Sequence, residues 1–159
     1  EGLSDFDDNW APQINLGVPV LIPDKYVSDL DTRLGLYRRL SGLTSKVELE
    51  GFAAELIDRF GELPTAVNTL LLVVRIKAMC KRAQISKFDG GPKGATIQFY
   101  NNKFKSPSGL VTFIDKENGN AKIRDNKLVV IRSWAKDRDR IRGSFNLAKD
   151  LAKLAQAKN

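Results

Sequence analysis

The sequence predicts an α+β domain, a single unit in which helices pack on a small antiparallel β-sheet, and three observations carry that expectation. The first half holds three apolar-periodic stretches bounded by helix caps, the second holds short β-type runs separated by turn residues, and a long amphipathic stretch follows them. With 159 residues, 42% of them hydrophobic, one core is expected, burying roughly 70% of the surface of the unfolded chain.

Residues 1–11 open with Glu-Gly-Leu-Ser-Asp-Phe-Asp-Asp-Asn, acidic and turn-prone, and read as a linker, leaving 12–159 as the domain. From Ile14 to Ile22 the even positions Ile14, Leu16, Val18, Val20 and Ile22 are apolar, which suits an edge strand or extended arm because Pro19 removes one ladder donor. Pro23-Asp24 is expected to open a helix whose apolar positions are Tyr26, Leu30, Leu34, Tyr37 and Leu40, closed by Gly42.

The stretch from Lys46 to Pro64 is the most strongly marked. Ser45 with Glu48 three places on reads as a capping box, Gly61 sits where a left-handed cap is wanted, and Pro64 lies where another helix can begin. Leu49, Phe52, Ala53, Leu56, Ile57 and Phe60 recur on one face, which should be buried. Glu55, Asp58, Arg59 and Glu62 fall at i, i+3, i+4 and i+7 and form a second stripe pointing away from the core. Such a stripe is either plain solvated surface or a docking face for a partner carrying charge of its own. The docking reading requires that these charges be neither buried in the domain nor paired among themselves.

Pro64 to about Ala83 is apolar nearly all round, so it should be the central helix. Ile85–Phe88 and Ala95–Tyr100 read as strands joined by Asp89-Gly-Gly-Pro-Lys-Gly94, a hairpin loop, since the glycines lead into no helix and fit no phosphate-cradle spacing. A short helix is expected from Pro107 to near Gly119, then strands Ala121–Arg124 and Leu128–Trp134 around the turn Asp125-Asn126-Lys127. The last helix, about Asp137–Ala157, should bury Ile141, Phe145, Ala148, Leu151 or Ala152, and Ala155, with Arg138, Arg140, Arg142, Lys149 and Lys153 outside.

Composition narrows the chemistry. With no histidine and a single cysteine, Cys80 in an apolar helix, there is no credible zinc site and no Cys–His or Ser–His couple, so neither an enzyme nor a cofactor site is expected in this chain. The absence of a signal peptide or membrane-length apolar run, and a start on Glu1, suggest a piece of a longer cytoplasmic protein. The net charge of +7 divides into −6 over residues 1–63 and +13 over residues 64–159. That basic part attracts phosphate backbones, which makes a nucleic-acid-binding module the rival function. Lys103, Lys105, Arg138 and Arg142 are its candidate contacts, and Lys122, Arg124, Lys127 and Arg132 interleave with Phe99, Tyr100, Phe104 and Trp134 in the manner of a stacking surface.

Leu21-Ile-Pro23, Thr32-Arg-Leu-Gly-Leu-Tyr-Arg-Arg-Leu40 and Glu55-Leu-Ile-Asp-Arg-Phe-Gly-Glu-Leu-Pro64 together resemble the C-terminal domain of the bacterial transcription-repair coupling factors, the Mfd family, over about residues 12–155. The resemblance implies a cytoplasmic parent that is an ATP-dependent DNA translocase, with ATP and Mg held in a motor outside this chain. Such a parent removes stalled RNA polymerase and recruits UvrA for nucleotide excision repair. It further implies that this domain is a non-catalytic, autoinhibitory clamp that docks on the N-terminal UvrB-like module and masks the UvrA-binding surface until polymerase is engaged. Glu55, Asp58 and Arg59, within the last motif, are then the expected ion-pair partners of that module.

Overall fold

A computed structural model describes residues 10–156 of the chain. The acidic leader read as a linker lies outside the described residues except for Trp10 and Ala11. Trp10 is no free linker residue: its indole stacks on Tyr100 with centroids 4.4 Å apart, and its carbonyl accepts from Lys81 Nζ.

The elements run β1 (Gln13–Asn15), α1 (Leu30–Ser41), α2 (Lys46–Phe60), α3 (Thr65–Arg82), β2 (Ile85–Gly91), β3 (Gly94–Phe99), α4 (Pro107–Lys116), β4 (Ala121–Arg124), β5 (Lys127–Ile131) and α5 (Asp137–Gln156). The strands form one sheet in the order β1-β2-β3-β5-β4. Antiparallel pairing holds from β2 to β4, and β1 joins the edge in parallel with β2, so the sheet is mixed. The β4–β5 connection is a two-residue hairpin in which Asp125 and Asn126 both take positive φ, 53° and 64°, the signature of a primed turn. Between β2 and β3 there is a hairpin, but its turn is only Pro92-Lys93: Asp89, Gly90 and Gly91, expected in the loop, pair as strand β2. Gly94, at φ +132°, is required there because a Cβ would stand 1.9 Å from the Val130 carbonyl oxygen on β5.

Two apolar clusters share α3. Ile76, Met79 and Cys80 pack with Phe88, Ile97, Leu128 and Leu151 between the sheet and α5, whereas Val67, with Leu70, Leu71 and Val74 around it, packs with Leu36, Leu40, Phe52 and Leu56 of α1 and α2. This is why the sequence of α3 is apolar on every side.

Four further local expectations are corrected. Only Gln13–Asn15 pairs as a strand, because Gly17 turns the chain at φ +67° and the rest of the 14–22 run continues as an arm, held where Ile22 N–H donates to Tyr37 Oη at 2.7 Å. The first helix starts at Leu30 and not at Pro23: Pro23 closes a turn with Tyr26 and Val27, and the Asp29 carboxylate accepts from Thr32 N–H at 2.9 Å, capping the helix six residues later. Ile57, assigned to the buried face of α2, is 50% exposed. Arg140, expected outside, is 7% exposed, its guanidinium spent on backbone carbonyls.

Candidate docking surface

The geometry of α2 follows from its two ends. Ser45 Oγ accepts from Glu48 N–H at 3.1 Å, while Glu48 Oε1 accepts from the Ser45 and Thr44 N–H groups at 3.2 Å each, completing the capping box. Those backbone donors, Thr44 first, hold the Glu48 carboxyl below its ordinary range. At the far end the chain turns at Gly61, φ +92°, and Tyr26 Oη donates to the carbonyls of Leu56 at 3.1 Å and Gly61 at 2.7 Å. With Leu49, Phe52 and Leu56 buried, the orientation of the opposite face is fixed.

On that face Glu55 and Arg59 share one fate and Asp58 another, while Glu62, expected at i+7 on the same stripe, lies past the end of the helix because Gly61 leaves helical geometry at φ +92°. Glu55 is already engaged: its two oxygens accept from Arg39 Nη2 and Nη1 at 2.7 and 2.8 Å, and Oε2 accepts from Arg59 Nη1 at 3.0 Å. The Arg39 guanidinium, then that of Arg59, pulls the Glu55 carboxyl down to about 2. Both cations also lie over rings, Arg39 at 5.1 Å from the Phe52 centroid and Arg59 at 4.8 Å from that of Phe60. Glu55 and Arg59 are therefore not the unpaired charges that the docking reading requires: Glu55 braces α2 to Arg39 of α1, and Arg59 pairs with it along α2. Asp58 and Glu62 meet the requirement, being exposed and without an ion pair among the described residues. Ile57, exposed beside Asp58, adds an apolar anchor that periodicity alone assigns to the core, since it sits at the margin of the buried stripe.

The basic candidates are not gathered in one place. Arg138 and Arg142 are exposed on the first turns of α5, beside an apolar groove of about 510 Å³ lined by Val18, Leu72 and Ile141. Lys103 and Lys105, also exposed, precede α4, which packs against the far half of α5 around Phe113 and Leu154. Nor is there an open stacking platform: Phe99 and Trp134 are buried, Phe104 leans on Phe99 at 5.0 Å, and Tyr100 is covered by Trp10. Burial pushes the Cys80 thiol up to about 12, as suits an unreactive core residue. Among the described residues no three metal-ligating side chains converge, and no helix is long and apolar enough to cross a membrane.

Comparison with known proteins adds family information to this geometry. A family model described as the TRCF domain matches residues 16–110. The transcription-repair-coupling factor of Rickettsia bellii (strain RML369-C) is 48% identical over 124 residues, which is 77% of this chain and 11% of the relative. That of Escherichia coli (strain K12) is 35% identical over 105 residues, 66% of this chain and 9% of the relative. The chain thus spans about a tenth of the length of these relatives. Its fold is similar to the crystal structure of a C-terminal domain of transcription-repair coupling factor, with a TM-score of 0.79 at 24% identity, covering 97% of this chain and 99% of the other.

Proposed function

We propose, from the premise that the chain belongs to the TRCF-domain family, that it acts as a non-catalytic regulatory domain of a bacterial transcription-repair coupling factor, closing on the N-terminal UvrB-like module of the same polypeptide through the outer face of α2. ATP and Mg belong on this reading to the motor of the full-length protein. In the closed state the domain masks the surface that UvrA binds, and engagement of RNA polymerase on DNA opens it.

The observation that carries the proposal is the division of labour on α2. Arg39 pairs with Glu55 from α1 to α2, Arg59 supports that carboxylate from within α2, and the exposed Ile57 and Asp58 on the helix, with Glu62 just past its end, are left open. A carboxylate pair around an apolar contact suits an arginine-bearing partner surface. Exposed ion pairs contribute only about 0.2–1 kcal/mol each. A tether supplies a high effective concentration, so a few of them suffice to keep a domain shut while leaving it easy to open.

The test is binding of this chain to the isolated N-terminal module, compared with the Asp58→Lys/Glu62→Lys variant. Charge reversal is expected to weaken the complex about tenfold or more and, in the full-length protein, to raise the affinity for UvrA. Unchanged binding by a folded variant would refute the role given to this face. Glu55 is a poorer choice for reversal, because its loss also breaks the brace to Arg39.

A further inference from the structure

The sheet has a second, uncovered side. Phe88, Ala95, Ile97, Leu128 and Val130 point into the core against α3 and α5, so the alternate residues of each strand face solvent. Strand register sets those outward residues in rows. Gln13 of β1 lies beside Lys87 of β2, Lys87 opposite Gln98 of β3, Gln98 opposite Lys127 of β5, and Lys127 opposite Arg124 of β4. In the adjacent row Asp89, Thr96, Val129 and Lys122 are neighbours in the same way.

Charge on this face is uneven. Lys87 is 3.8 Å from the Asp89 carboxylate, which leaves the β2 side near neutral. Lys122, Arg124 and Lys127 at the other side are exposed and make no ion pair with any described residue. Arg124 and Lys127 face each other directly across the hairpin, a placement in which like charges repel. Protection of an edge strand against pairing with other chains explains Lys122 and Arg124 on β4. It does not explain Lys127, which lies on an interior strand and opposes Arg124.

We infer that the outer face of the β4–β5 hairpin, formed by Lys122, Arg124 and Lys127 with the Gln98 amide beside them, is a binding site for the phosphate backbone of a nucleic acid. The backbone positions that carry these cations are about 5 Å apart across the strands and about 7 Å apart along β4. Three unpaired cations grouped on one hairpin face suit a dense line of negative charge, and a nucleic-acid strand carries one per about 3.4 Å of helix axis. No outward position of the strands bears an aromatic ring, so bases are not stacked and the contact tolerates any sequence. This surface is built from different elements than the α2 docking face, and the inference does not rest on that reading.

The test is fluorescence anisotropy of the whole chain with a short labelled DNA, single-stranded and duplex, across a range of salt concentration. Binding is expected to weaken steeply with salt. The Lys122→Ala/Arg124→Ala/Lys127→Ala variant should lose on the order of tenfold in affinity and about 2 to 3 in the log–log salt slope. Lys127→Glu, a milder change that replaces repulsion by attraction to Arg124, should also weaken binding while raising the urea midpoint. Absence of binding by the parent chain, or parent-like affinity and slope in both variants, would overturn the assignment. Displacement of the DNA by polyglutamate, charge for charge as effectively as by unlabelled DNA, would overturn it in favour of an acidic protein partner.

Discussion

The Arg140 guanidinium donates through Nη1 to the carbonyl oxygen of Leu16, 124 positions earlier, at 3.0 Å. Its Nε and Nη2 reach the carbonyls of Trp134 and Ala135 at 3.2 and 3.3 Å, and the Asp137 carboxylate lies 3.5 Å from Nη1. One side chain thus ties the point where the arm leaves β1 to the segment that leads into α5.

Replacing Arg140 by Met keeps much of the volume and leaves those carbonyls without a donor. The expected loss is about 2–4 kcal/mol, since each buried unsatisfied group costs about 1–3 kcal/mol. Urea unfolding followed by circular dichroism measures it. Arg140→Lys should recover little, because an ammonium cannot reproduce a planar fork aimed at three acceptors. A loss below about 1 kcal/mol in the Met variant would show that water replaces the guanidinium without cost.

The brace on α2 has a predictable pH dependence. The Glu55 carboxyl is held at about 2, against an ordinary value of 4.5, by Arg39 first and Arg59 second. A lowered folded-state value means that the unfolded chain takes up the proton more readily. The contribution is therefore complete above 4.5 and disappears as pH falls towards 2. The parent chain should be more stable than Glu55→Gln near neutrality, and the difference should close over that acid window. An NMR titration of the Glu55 carboxyl with a midpoint near its ordinary value would contradict the brace.

Gly143 lies against the indole of Trp134, where a Cβ would come within 2.3 Å of Nε1. Alanine is ordinarily favoured over glycine inside a helix by about 1 kcal/mol. Here the sign is expected to reverse, because overpacking a rigid ring costs about 1–3 kcal/mol. Gly143→Ala should lower the urea midpoint and shift Trp134 emission to longer wavelength. A more stable variant with unchanged emission would mean that the ring moves aside freely.

What the sequence discloses is mostly local chemistry. Ser45 with Glu48, Pro107 and Asp125-Asn126 each name their own structure within a few residues, and the structure agrees with them; the period of α5 finds Ala148, Leu151 and Ala155 but leaves Ile141 and Phe145 half-buried and misses Arg140, Ser144 and Leu147. The motif match with the transcription-repair coupling factors is likewise a property of contiguous residues, and the family model bears it out. Contacts made across the fold are a different matter. Nothing near Arg140 announces that its acceptors include Leu16, and nothing near Glu55 singles out Arg39 from the other cations of the first half. Competing local signals also mislead: Pro23 and Asp29 are both acceptable starts for α1, and the chain closes a turn at Pro23 and begins the helix at the Asp29 cap. Ile57 shows the same ambiguity, because a residue at the margin of a helical stripe turns inward or outward according to its neighbours in space.

Helix α3 lends its first half to one apolar cluster and its second half to the other. Opening of the α1/α2 layer would therefore uncover Val67, Leu70, Leu71 and Val74 of α3 as well as its own apolar residues, while α3 keeps its seat on α5 and the sheet. A ligand clasping α2 would accordingly slow amide exchange first in the opening turns of α3.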